Sequence, residues 1–206
     1  MTLSAQLWSD SADVAADVLA HPFVRGIGDG SLPKEAFAGY LAQDAFFLES
    51  FARAYALALA RSTDTSTLLT LADLLAGVRQ ELGLHASYAG SWGIDMAGVE
   101  PLPATLAYTE FLLATAATGG VGMVFAAMTP CMRLYAWLGA ALDAGAAGPY
   151  AQWVQTYADP SFEALASRLE RLLDEHADDR PAVRAAYRRA MHLELAFFDA
   201  ALLPSG

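Results

Sequence analysis

Apolar positions along the chain recur at steps of three and four, and strict alternation is missing. Alanine and leucine fill the stretches between breaks, while β-branched residues are sparse. That period belongs to helices with one buried face. Clusters of glycine, proline, serine and aspartate interrupt it at HPF and GIGDGSLP, STDTS, GSWGIDMAGVEPLP, ATGG, DAGAAGP, ADP and ADDRP. The segments between predict about eight helices, over Leu3–Ala20, Pro33–Arg61, Ser66–Tyr88, Pro103–Ala117, Gly120–Asp143, Pro149–Tyr157, Pro160–His176 and Pro181–Leu203. Several open with a proline in the first turn, where its missing N–H costs nothing, and Ser31 and Ser66 are candidate caps. With no strands to form a second layer, the elements have to pack as an all-α helical bundle. No repeat or long linker divides residues 1–206, so a single domain is expected.

Composition narrows the job. The chain has 206 residues, 55% of them hydrophobic, enough for one sizeable core. No uninterrupted apolar run approaches the roughly 18 residues that span a bilayer, and the opening MTLSAQLWSD lacks the basic-then-apolar order of a secretory signal. A cytoplasmic location is therefore expected. A net charge of -11 repels phosphate backbones and anionic lipid, so neither nucleic acid nor membrane is the expected partner, and a small neutral or cationic ligand suits better. Only 17% of residues are charged, an apolar balance that points to surface buried in a homo-oligomer. The lone Cys131 cannot form an internal disulfide or a thiolate zinc site, which leaves a core residue or a reactive one.

Three polar groups interrupt apolar faces. Tyr40, Asp44, Phe47, Leu48 and Phe51 share one helix face, which sets a carboxylate inside an aromatic stripe. An unpaired charge there is costly, so Asp44 either bonds a tyrosine or arginine of a neighbouring helix or serves a site. Tyr187, Met191, Glu194 and Phe198 repeat the pattern near the end of the chain. Glu194 is then either a partner of Arg133 or of a buried histidine, or a proton shuttle raised by desolvation. Met128, Cys131, Tyr135 and Leu138 form the third face, with Pro130 removing a backbone hydrogen bond just before the thiol. Tyr108 and Tyr157 are weaker candidates, and Glu81, His85 and Tyr88 share a face in ELGLHASY. Glu-x-x-x-His supplies two metal-type ligands, yet the four histidines, His21, His85, His176 and His192, do not fall in the paired Glu-x-x-His segments of a di-iron bundle, so no metal or cofactor is expected.

Four segments, in order, resemble one family. YLAQDAFFL around Asp44, TPCMRLYAWLG around Cys131, WVQTYADPSFE with Tyr157 and ELAFFDAAL from Glu194 are similar to the TenA, or thiaminase II, enzymes that salvage pyrimidine fragments of thiamin. The resemblance runs along nearly the whole chain and implies a haem-oxygenase-like multi-helix bundle without haem, usually assembled as a homotetramer. It assigns Cys131 as nucleophile, Glu194 as acid/base and Asp44 as the group that holds the aminopyrimidine. Phe47, Tyr108, Tyr135 and Tyr157 fall at positions that line the family's pocket, with Phe47 standing where the aromatic ring often bears a hydroxyl. Glu81 and His85 receive no catalytic role. The chemistry implied is hydrolysis of 4-amino-5-aminomethyl-2-methylpyrimidine, or thiamin, to the hydroxymethyl compound. Two rivals are a metal-dependent oxidase using Glu81, His85 and His192 or Glu194, and a non-catalytic pyrimidine-binding regulator.

Overall fold

The computed structural model describes residues 1–93 and 99–202. Every regular element among them is helical: α1 (Leu3–Ser9), α2 (Ala12–Ala20), α3 (Pro22–Gly28), α4 (Lys34–Arg61), α5 (Thr65–Trp92), α6 (Pro103–Thr118), α7 (Val121–Ala141), a 3-10 turn at Gly148–Tyr150, α8 (Ala151–Ala158), α9 (Pro160–His176) and α10 (Pro181–Ala201). The expected helices from residue 33 onward recur with shifted ends. The expected end at Leu203, and the middle of the GSWGIDMAGVEPLP break, lie outside the described residues.

The expected first helix, Leu3–Ala20, is two, α1 and α2. Ser9, Asp10 and Ser11 offer the backbone side-chain alternatives to the helical ladder, and the chain breaks there. Arg188 of α10 holds the break, donating to the Asp10 carbonyl and the Asp13 carboxylate, both at 2.8 Å. Part of the stretch expected as punctuation, Pro22–Gly28, instead folds into α3, with Pro22 in its first turn and the His21 ring accepting from the Phe23 N–H, while 29–33 remains a break. The expected caps also differ. Asp64, not Ser66, caps α5 by accepting from the Thr67 N–H at 2.8 Å. Ser31 caps nothing; its N–H goes to Asp29, and Pro33 precedes α4.

The bundle is organised around α7, which packs against α8, α9 and α10, while α4 packs against α5 and α6, and α10 bridges to both α4 and α6. By length and composition α7 qualifies as a membrane span, which the sequence alone was not expected to contain, but 67% of its apolar window is buried inside the bundle. It is a core helix. Its Pro130 and Thr129 are buried and Cys131 half-buried, the helix continues on both sides, and the Thr129 hydroxyl turns back onto the Phe125 carbonyl at 2.7 Å. Gly139 sets the approach of α8: a Cβ there would lie 2.3 Å from the Tyr157 carbonyl carbon. That contact presses α8, and with it Tyr157, onto α7.

Candidate active site

Five helices converge on one buried cluster of acids, a thiol and phenols. α4 supplies Tyr40, Asp44 and Phe47, α5 supplies Glu81 and His85, α6 supplies Tyr108, α7 supplies Cys131 and Tyr135, and α10 supplies Glu194. The short α8 adds Trp153 and Tyr157. Each side chain reaches inward because it sits on the apolar stripe of its own helix.

Glu194, 2% exposed, accepts from the Tyr108 hydroxyl at 2.7 Å, and the Cys131 thiol is its electrostatic neighbour. Arg133, the alternative partner considered for it, is instead clamped by Glu163 at 2.8 Å and Glu170 at 2.6 Å on α9. Burial raises the Glu194 carboxyl to about 7, partly offset by Tyr108 and Cys131 beside it. The Cys131 thiol is pushed well above its ordinary value, chiefly by desolvation and then by the negative charges of Glu194, Glu81 and Asp44. At rest it is therefore a neutral thiol beside a proton acceptor, not a free thiolate.

Asp44 is 5% exposed. Burial, reinforced by repulsion from Glu81 and Glu194, raises its carboxyl well above the usual range, with the Tyr40 hydroxyl opposing. His85 Nε2 comes within 3.2 Å of Asp44 Oδ2, but off the direction of a hydrogen bond, so Oδ2 has no hydrogen-bond partner among the described residues, and neither does the buried His85 Nδ1. Burial lowers His85 to about 4, so the ring is neutral and forms no charged pair with Asp44. Glu81 accepts from Tyr157 at 2.6 Å and is raised to about 7 by desolvation. Asp44, Glu81 and His85 bring one donor atom each within 4.8 Å of one another.

Rings close the site. Phe47 packs on Tyr108 at 4.7 Å between centroids and on Phe197 at 6.0 Å. Tyr135 and Tyr157 meet edge-on at 4.7 Å. The Tyr40 hydroxyl donates to that of Tyr135 at 3.1 Å and accepts from Trp153 Nε1 at 3.4 Å. A cavity of about 240 Å³ between α5, α7 and α9 reaches the cluster at Glu81, with Tyr55 and Met132 in its wall.

All seven residues singled out from the sequence thus lie in this cluster: Cys131, Glu194, Asp44, Phe47, Tyr108, Tyr135 and Tyr157. His192 does not, because it faces solvent. Glu81 and His85, given no role, sit against Asp44. Their spacing was the visible signal: Leu74, Val78, Glu81, His85 and Tyr88 recur at steps of three and four on one face of α5, and the family resemblance gave the two polar residues no part.

Residues 8–203 match the description of the TENA/THI-4/PQQC family. The chain belongs to that family. It is 34% identical to an aminopyrimidine aminohydrolase of Halalkalibacterium halodurans, over 98% of this chain and 96% of the relative. A solved TenA family transcription regulator from Silicibacter sp. TM1040 superposes with a TM-score of 0.90 at 29% identity, covering 97% of this chain and 96% of that one. The fold extends to a domain from Shewanella denitrificans described as haem-oxygenase-like, with a TM-score of 0.69 over 96% of this chain and 90% of that one at 18% identity. The bundle is haem-oxygenase-like, as the TenA resemblance implied.

Proposed function

We propose that this TenA-family protein is an aminopyrimidine aminohydrolase of the thiaminase II type, acting in thiamin salvage on 4-amino-5-aminomethyl-2-methylpyrimidine, with thiamin as the alternative substrate. The observation that carries the reading is the gathering of Cys131 and Glu194 in one site, where the Glu194 carboxyl is held by the Tyr108 hydroxyl at 2.7 Å and raised to about 7 by burial. The cytoplasm as its location and a homotetramer as its assembly belong to the same reading.

Direct displacement of an amine from the methylene is slow, because the amine is a poor leaving group. Glu194 takes the thiol proton as the sulfur adds to a ring carbon, so the thiolate never has to exist free among three acids. The electron pair pushed into the ring returns to expel the amine, and Glu194 gives its proton to that nitrogen. Water adds at the exposed methylene, losing a proton to Glu194, and the sulfur departs as a thiolate that recovers the proton. Asp44, held protonated by burial, shares its proton with a ring nitrogen while its other oxygen accepts from the exocyclic amine, which keeps the ring electron-poor and oriented. Phe47, Tyr108, Tyr135 and Tyr157 line the pocket and exclude bulk water.

Cys131→Ser should abolish release of hydroxymethylpyrimidine while leaving its binding measurable by calorimetry. Full activity in that variant would defeat the nucleophile assignment. A second reading rests on the 4.8 Å grouping of Asp44, Glu81 and His85, which a divalent cation fits. Metal analysis of protein purified without chelator separates the two: a stoichiometric ion whose removal by chelation stops turnover would favour the metal reading.

A further inference from the structure

Of the three clustered acids, Asp44 and Glu194 are buried and Glu81, half-buried, stands at the junction between the deep cluster and the cavity. Its carboxylate is fixed by Tyr157 at 2.6 Å, and the residue lines both the 240 Å³ cavity and the small hollow bounded by His85, Trp153 and Tyr157. Among the described residues no charged partner answers these acids. The arginine nearest in purpose, Arg133, is bound to Glu163 and Glu170, and His85 is neutral. Asp44 Oδ2, 95% withdrawn from solvent with its residue and without a hydrogen-bond partner, points to a polar group that the protein itself does not supply. Two jobs are already divided between Asp44 and Glu194; the nitrogen on the methylene still needs a counter-charge.

We propose that Glu81, held by Tyr157, receives the substrate's protonated amine, and that the cavity beyond it, walled by Tyr55, Val78, Met132, Thr156 and Phe162, is the room into which that amine leaves. The proposal rests on the aminopyrimidine reading above and adds the selection of a cationic leaving group. In the balanced step, the sulfur–carbon bond forms, the carbon–nitrogen bond breaks with its pair on nitrogen, and the ammonia so formed takes the Glu194 proton and departs as ammonium. Glu81 loses and gains no proton in this step. It pairs with the positive nitrogen before and after cleavage, so it acts as a binding group. The other groups that face it are Asp44, His85, Tyr157, Glu194 and Cys131, and none of these is cationic.

The test compares two ligands that share the ring and differ at one atom. In Glu81→Gln, which keeps the shape and the Tyr157 contact, KM for the aminomethylpyrimidine should rise roughly ten- to hundredfold, the loss expected of one charge-assisted contact. The dissociation constant of the neutral hydroxymethylpyrimidine should stay within about twofold, and Glu81→Asp should recover part of the KM. If both ligands weaken together, or neither does, the proposal is overturned. A measurement on the unaltered protein guards against misfolding of the variants: methylammonium should inhibit competitively against the aminomethyl substrate, whereas methanol should not, and equal indifference to both would also sink the idea. If the unaltered protein turns over no aminopyrimidine at all, the functional reading fails instead, a result distinct from either.

Discussion

Glu194 carries a cost that an idle core residue would not. Its carboxyl is 2% exposed and raised from 4.5 to about 7. The folded chain therefore holds a proton that the unfolded chain releases between about pH 4.5 and 7, so the group's effect on stability worsens as pH rises through that window and is at its worst above it. The shift corresponds to roughly 3 kcal/mol. Glu194→Gln, which cannot ionise, should melt several degrees above the unaltered protein at pH 8, and the gap should close at pH 5. A gap independent of pH would mean that Glu194 ionises freely in the fold. The same residue was legible in the sequence as a polar interruption of an apolar face, as were Asp44 and Cys131. What could not be read was who partners whom: Arg133 offered itself to Glu194 on paper, and only the packing of α9 against α7 shows it spent elsewhere.

Helix positions followed from the three- and four-residue period wherever the segment was long. α4, α6, α7, α9 and α10 stand within a few residues of expectation. The failures have local causes. A run of Ser9, Asp10 and Ser11 inside good helix formers breaks the ladder, and a proline-led segment too short to show a period, α3, passes for a loop. The least legible feature is a distance between helices. Gly139 looks like any small residue of α7, yet it lets the α8 backbone come so near that a methyl group would sit 2.3 Å from it. Gly139→Ala should therefore push α8 outward, lower stability by roughly 1–3 kcal/mol and, through the displaced Tyr157, reduce kcat/KM by about tenfold or more. Gly83→Ala in α5, where a Cβ meets nothing within 4 Å, is the control. It should be neutral to stabilising by up to about 1 kcal/mol, with activity retained. Equal behaviour of the two variants in thermal melts and steady-state kinetics would show that the α7–α8 approach does not matter.

The composition of the chain as a body argues for company. A surface that must supply only 17% charged residues still leaves Leu57, Leu68, Leu69 and Leu106 open, between 37% and 59% exposed, all on α4 or on α5 and α6, which both pack against α4. Single exposed leucines are ordinary, but these lie on α4 and the two helices that pack on it. Within the proposed homotetramer they are the side chains whose burial between copies offsets the exposure, at about 25 cal/mol for each Å² of apolar surface covered. Light scattering should then return a mass near four times the 21.8 kDa of the chain. Leu69→Glu, which places a charge on the most open of these leucines, should lower that mass while helical content is retained, since Leu69 contributes little to the core of its own chain. A monomeric mass for the unaltered protein at micromolar concentration would leave the apolar balance to be explained within one chain. A tetramer indifferent to the substitution would move the interface to another face of the bundle.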